Sequence, residues 1–188
     1  LSNQMSLKYL LPIICILVVS CGQSEESAKK NTEKRPRLEE LTFKKSQFID
    51  DKIYSVYLPA SYNDNPDKSY PVLYLMDGQV QFGGKSPVSN ASWNSHEVVD
   101  SLIQTHTINE VILVGVNHAE DKRFEEYMPQ KPLDNLPKNP NDSIQNMVEY
   151  TVFSDAFLKF MVRELKPEID KQYRVYSWQG KFCFCYLQ

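Results

Sequence analysis

Four short stretches of the sequence carry residue types that could do chemistry. The first is "LMDGQ", Leu75 to Gln79, where a run of large apolar residues stops at an acid and a glycine. Asp77 and Gly78 alone read as an ordinary turn, because both residue types tolerate turn backbone angles. The same corner could instead deliver the backbone amide of Gln79 to a reaction site, and on these residues both readings stay open. The second is "HEVVD", His96 to Asp100, whose histidine and aspartate share a helical face at i and i+4 and could both reach a metal. It lacks the second imidazole of a His-Glu-x-x-His zinc helix and has no evident third ligand, which speaks against a metal. The third, "GKSPV" from Gly84 to Val88, has the first half of a Gly-x-Ser-x-Gly nucleophile elbow. It follows a loop, carries Pro87 and lacks the second glycine, so Ser86 is a poor nucleophile. The fourth is Cys183 and Cys185, a C-x-C pair; two thiols alone specify no metal site.

The elements that would position these residues follow from periodicity. "LTFKKSQF" and "KIYSVYLP" alternate loosely and read as two strands joined by a turn at Asp50-Asp51. "YNDNPDKS", Tyr62 to Ser69, reads as a hairpin-type connection. "PVLYLM" and "EVILVGV" are apolar without interruption, the mark of strands covered on both faces. Between them, "WNSHEVVDSLIQT" puts Val98, Val99, Leu102 and Ile103 on a helical stripe. Residues 118–150 are polar and proline-rich, with little sign of regular structure. "FSDAFLKFMVRELKPEI" is an amphipathic helix expected to end at Pro167. This βαβα order implies an α/β fold, a mostly parallel sheet flanked by helices. A third parallel strand should follow Tyr173.

The start of the chain reads differently. Lys8 precedes an apolar core from Tyr9 to Val19, too short to span a bilayer as a helix. "VVSC", Val18 to Cys21, resembles a bacterial lipobox, in which Cys21 is lipidated and the signal peptide, residues 1–20 with Cys15, is removed. Met5 is the expected biological start. A plain secretory signal with an incidental cysteine is the alternative. After Cys21, residues 22–37 hold no aliphatic side chain larger than Ala28 apart from Pro36 and cannot bury enough surface to order themselves, so residues 21–37 read as a tether. Residues 22–37 could reach at most ~55 Å. The expected destination is the bacterial cell envelope, periplasm-facing or at the cell surface, with the membrane as partner through the lipid. A formal charge of −3 gives no reason to expect nucleic acid as a partner.

Four blocks, "VYLPASY", "YPVLYLMDGQ", "ILVGVNHAEDKRFEEYMP" and "FLKFMVRELKPEIDKQYRV", occur in this order at similar spacing. In this the chain resembles the putative esterase family of α/β-hydrolases, which includes enterochelin esterases, S-formylglutathione hydrolases and feruloyl or acetylxylan esterases. The resemblance covers residues 41–176, the N-terminal half or so of a family domain. It implies serine-dependent hydrolysis of small-molecule carboxylic esters or thioesters, without a cofactor. It also implies that the backbone N–H of Gln79 is an oxyanion donor, that Gly78 permits the turn, and that Asp77 braces the loop. Arg123 matches an arginine that organises the rim of the family's site. The nucleophile elbow is absent, and its acid and base partners lie after the serine in this fold, so His106 and His118 are poor substitutes. No catalytic triad is legible.

The match breaks after about Ser177, and residues 178–188 read as an aberrant tail. Read one base later from within the Trp178 codon, that tail would encode a glycine, polar residues and then a possible apolar strand. This suggests a one-base shift that truncates an esterase before its serine, leaving residues 38–177 as a partial domain without activity. The rival expectation is a non-catalytic surface lipoprotein that binds a carbohydrate or siderophore through its aromatic loops.

Overall fold

The structure is a computed structural model that describes residues 35–134, 152–176 and 184–185. Cys15, Cys21, the signal-like segment, most of the tether, and Cys183 lie outside the described residues. Among the described residues five strands form one sheet in the order β1-β2-β4-β3-β5. They are β1 (Arg37–Phe43), β2 (Lys52–Leu58), β3 (Val72–Met76), β4 (Ile112–Val116) and β5 (Phe184–Cys185). The two apolar runs pair parallel, from Val72 opposite Ile112 to Met76 opposite Val116. A parallel pair needs a crossover, here through α1 (Gly78–Gln81) and α2 (Ser95–Gln104). β2 runs antiparallel to both β1 and β4, so the sheet is mixed.

The apolar runs are continuous because both faces are covered. On one face Tyr54, Val56, Tyr74, Met76, Ile112, Val114 and Val116 pack with Phe157, Phe160, Met161, Leu165 and Ile169. On the other, Tyr57, Leu75 and Leu113 pack with Phe82 and Val99. α2 covers that second face thinly: none of its residues is fully buried, and Val98 is 56% exposed. Among the described residues no helix is long and apolar enough to cross a membrane.

The structure departs from the sequence reading at five places. The first strand begins at Arg37 and ends at Phe43, before "KKSQF". Ser46 Oγ and Gln47 N–H donate to the Glu164 carboxylate, and the amides of Phe48 and Ile49 donate to Ser46 Oγ. These side-chain bonds replace a ladder there. Tyr62 to Ser69 is no hairpin connection, because β4 lies between β2 and β3. Within 118–150 the chain forms a 3-10 turn (Glu120–Lys122), α3 (Arg123–Tyr127) and α4 (Gln130–Asp134), while 135–151 lie outside the described residues. Pro167 does not end its helix. α5 (Ser154–Phe160) passes through a π turn (Met161–Leu165) into α6 (Lys166–Gln172). A proline ring collides with the carbonyl four residues back; here that is Arg163, inside the wider π turn, which gives the ring room. Finally, the sheet is mixed and not mostly parallel as expected, because β2 joins it antiparallel on both sides; Phe184 and Cys185 pair parallel with Tyr74 and Leu75, at the place of the strand expected after Tyr173.

Candidate active site

Met76 and Val116 face each other at the ends of β3 and β4, so the chain leaves both strands on the same side of the sheet. Ligand sites of open α/β sheets form there, beyond the carboxyl ends of the strands. The corner is built tightly. Asp77 is buried and left-handed, with φ 53° and ψ 45°, an uncommon conformation for a residue with a side chain. It turns the chain so that α1 starts at once. A Cβ on Gly78 would lie 2.5 Å from the Gly115 carbonyl carbon and 2.7 Å from Asn117 Oδ1, so only glycine lets the corner sit on β4. Gly84 is needed for a similar reason: a Cβ there would lie 1.8 Å from the Gln79 carbonyl oxygen. The glycine that mimicked half an elbow therefore backs the oxyanion candidate instead.

Gln79 lies in the first turn of α1, where a backbone N–H has no intrahelical carbonyl to donate to. Its side-chain Oε1 accepts from the His118 backbone N–H at 3.3 Å. Gln81 holds the corner from below, its Nε2 donating to Met76 O at 2.8 Å and its Oε1 accepting from Ser95 Oγ. Gln79, Asn117 and His118 line a cleft of about 840 Å³ between the Ser46–Ile53 turn and the loop that follows β4.

Arg123 clamps Asp77. Its Nε and Nη2 each donate to a different carboxylate oxygen at 2.8 Å, the planar two-point geometry that arginine favours. The Asp77 backbone N–H donates to Tyr127 Oη at 3.3 Å, and the guanidinium lies 5.2 Å from the centre of the Tyr127 ring. Burial, then the Asp77 charge, pushes the Tyr127 phenol above its usual range, so it stays protonated. Arg123 and Tyr127 also line an apolar groove of about 800 Å³ with Met76, Phe157 and Leu158.

The residues weighed against chemistry are placed elsewhere. Ser86 Oγ accepts from the amides of Val88 and Ser89 in a loop turn. Asp100 accepts from Tyr57 Oη, while the His96 ring packs at a tilt against Tyr57 and Phe82, with its Nδ1 buried and without a hydrogen-bond partner. His106 is exposed in a left-handed turn after α2. His118 Nδ1 is buried without a hydrogen-bond partner. Among the described residues no group of three metal-ligating side chains forms, and no serine hydroxyl bonds to an imidazole. The sequence reading missed Lys52 and Glu126, which form a buried ion pair. The spacing of Arg123, Glu126 and Tyr127 on one helical face was the available signal, hidden in a stretch too polar to read as a helix.

A mixed sheet in this order, with a glycine-backed amide corner at the carboxyl ends of its parallel strands, defines an α/β-hydrolase-like protein. Residues 46–183 match the model of the putative esterase family, and the chain belongs to that family. Among solved structures it is similar to an IroE-like serine hydrolase from Shewanella oneidensis, at 26% identity and a TM-score of 0.53 over 75% of this chain and 40% of that one. It is also similar to a ferulic acid esterase, at 22% identity and a TM-score of 0.51 over 76% of this chain and 45% of that one. The chain thus spans less than half the length of either. No curated protein sequence matches it.

Proposed function

We propose that this chain is the amino-terminal part of an exported, lipid-anchored serine esterase acting on small-molecule carboxylic esters. In this reading Cys21 carries the lipid, the tether spans the gap to the envelope, and Gln79 N–H is the first oxyanion donor. The attacking serine belongs to residues downstream of this sequence, so the 188-residue chain by itself does not turn over ester. The observation that carries the reading is the pairing of β5 with the free side of β3, parallel, at Tyr74 and Leu75. A strand in that position heads for the Asp77–Gln79 corner, where a hydroxyl at its end would meet the amide. The serine, deprotonated by a histidine, would attack the carbonyl, and the oxyanion would take hydrogen bonds from Gln79 N–H and from the residue after the serine.

The test compares this chain with a product extended through the downstream reading frames. The chain alone should not hydrolyse p-nitrophenyl acetate; the extended product carrying Gly-x-Ser-x-Gly should, and a serine-directed phosphonate should stop it. Phosphonate-sensitive turnover by the short chain would overturn the assignment of the serine, and an extended product without the elbow would overturn the esterase. Labelled fatty acid should enter the expressed chain and be lost in Cys21→Ala.

A further inference from the structure

We propose that Glu126 is a positioning residue that sets the direction of the Gln79 amide, an inference resting on the oxyanion reading above. α3 has five residues, too few to hold a helix by its own hydrogen bonds. Its conformation must therefore come from tertiary contacts, and three of its side chains reach three strand ends. Arg123 grips the Asp77 carboxylate and Tyr127 accepts from the Asp77 amide, both beyond β3. Glu126 works in the other direction. It is fully buried, its Oε1 pairs with Lys52 at the start of β2, and its Oε2 accepts from Ala119 N–H at 2.6 Å, beyond β4. The Lys52 ammonium is itself confined, 5.5 Å from the centre of the Phe157 ring.

A buried ion pair is a weak source of stability, since two apolar residues of similar volume often do as well. What apolar residues cannot do is tie Ala119 N–H and the β2 terminus to one point on α3. That tie fixes where Arg123 and Tyr127 sit. They in turn hold Asp77 in a left-handed conformation that aspartate tolerates but does not hold by itself. The Asp77 dihedrals aim the next two peptides, and so the Gln79 N–H. Glu126 thus acts on the corner through α3 without touching the reacting atoms.

Glu126→Gln, and the paired Lys52→Met with Glu126→Leu, separate position from stability in the 188-residue chain. The readouts are the residual dipolar coupling and order parameter of the Gln79 N–H, with Val114 in β4 as reference and denaturant unfolding alongside. The paired variant should unfold near the wild-type midpoint, yet its Gln79 coupling should change and its order parameter should drop from about 0.85 to below about 0.6, with Val114 unmoved. Glu126→Gln keeps the shape and an acceptor for Ala119 but loses the carboxylate that holds Lys52, and should show the same displacement, so it carries the test where the paired variant does not fold. A Gln79 vector unchanged in Glu126→Gln, or a loss of order shared equally by Val114, overturns the proposal. These readouts need no turnover. Failure of the esterase assay leaves them standing, and an unmoved amide beside a working esterase removes only Glu126.

Discussion

Gln79 can be deprived of its backbone donor with one substitution, because the first turn of a helix tolerates proline. Gln79→Pro in the extended, active product removes the N–H and the side-chain bond to His118. Loss of one oxyanion donor raises the barrier by about 3–4 kcal/mol, so kcat should fall by roughly 10² to 10³. Steady-state kinetics on p-nitrophenyl acetate would check this, and a change confined to KM would count against the donor role. At this scale the corner was legible: Asp77, Gly78 and Gln79 stood out as the end of an apolar run, while Arg123 and the oxyanion role of Gln79 came only from the family resemblance. That Asp77 and Arg123 bond to each other was not legible, because they are far apart in sequence and no local pattern records a meeting across a sheet. Glu126 was invisible for a related reason, since a glutamate among charged neighbours looks solvated until the fold buries it.

At the scale of elements, the β1–β2 turn depends on one carboxylate of the π turn. Glu164 accepts from Ser46 Oγ at 2.5 Å and from Gln47 N–H at 2.9 Å. Glu164→Ala should therefore lower stability by about 1–2 kcal/mol, read as a shift of the urea midpoint without a change in slope. Because Ser46, Gln47 and Phe48 line the cleft beside Gln79, the same variant should raise KM more than it lowers kcat in the extended product. The two apolar strands and α2 were readable from periodicity, which reports burial on both faces or on one. The end of β1 and the passage through Pro167 were not. Each depends on a partner supplied by another element: the Glu164 carboxylate in one case, the π turn in the other.

For the whole molecule, tyrosine burial sets a pH limit. Tyr54, Tyr57, Tyr74, Tyr127 and Tyr173 all have phenols raised above the ordinary value of 10.0, with burial the first cause in each. Unfolded, they would lose protons near 10 while the folded chain keeps them. Above that pH the unfolded state binds fewer protons, so stability is intact below pH 10 and falls as pH rises further. The share of the phenolate absorbance that belongs to these five of the eleven tyrosines should appear together with the loss of circular dichroism, in one cooperative alkaline step. All eleven tyrosines ionising near pH 10 with the fold intact would contradict this burial.

Composition and the two uninterrupted apolar runs were enough to determine an α/β domain, and the Asp-Gly step a sharp corner at the end of one strand, because burial and turn chemistry are written in neighbouring residues. Only the tertiary structure decided that β2 joins the sheet antiparallel, that Arg123 holds Asp77, and that Phe184–Cys185 lies beside β3. Those facts depend on which distant segments meet, and the free energy of such meetings belongs to pairs of surfaces that no single stretch of sequence contains.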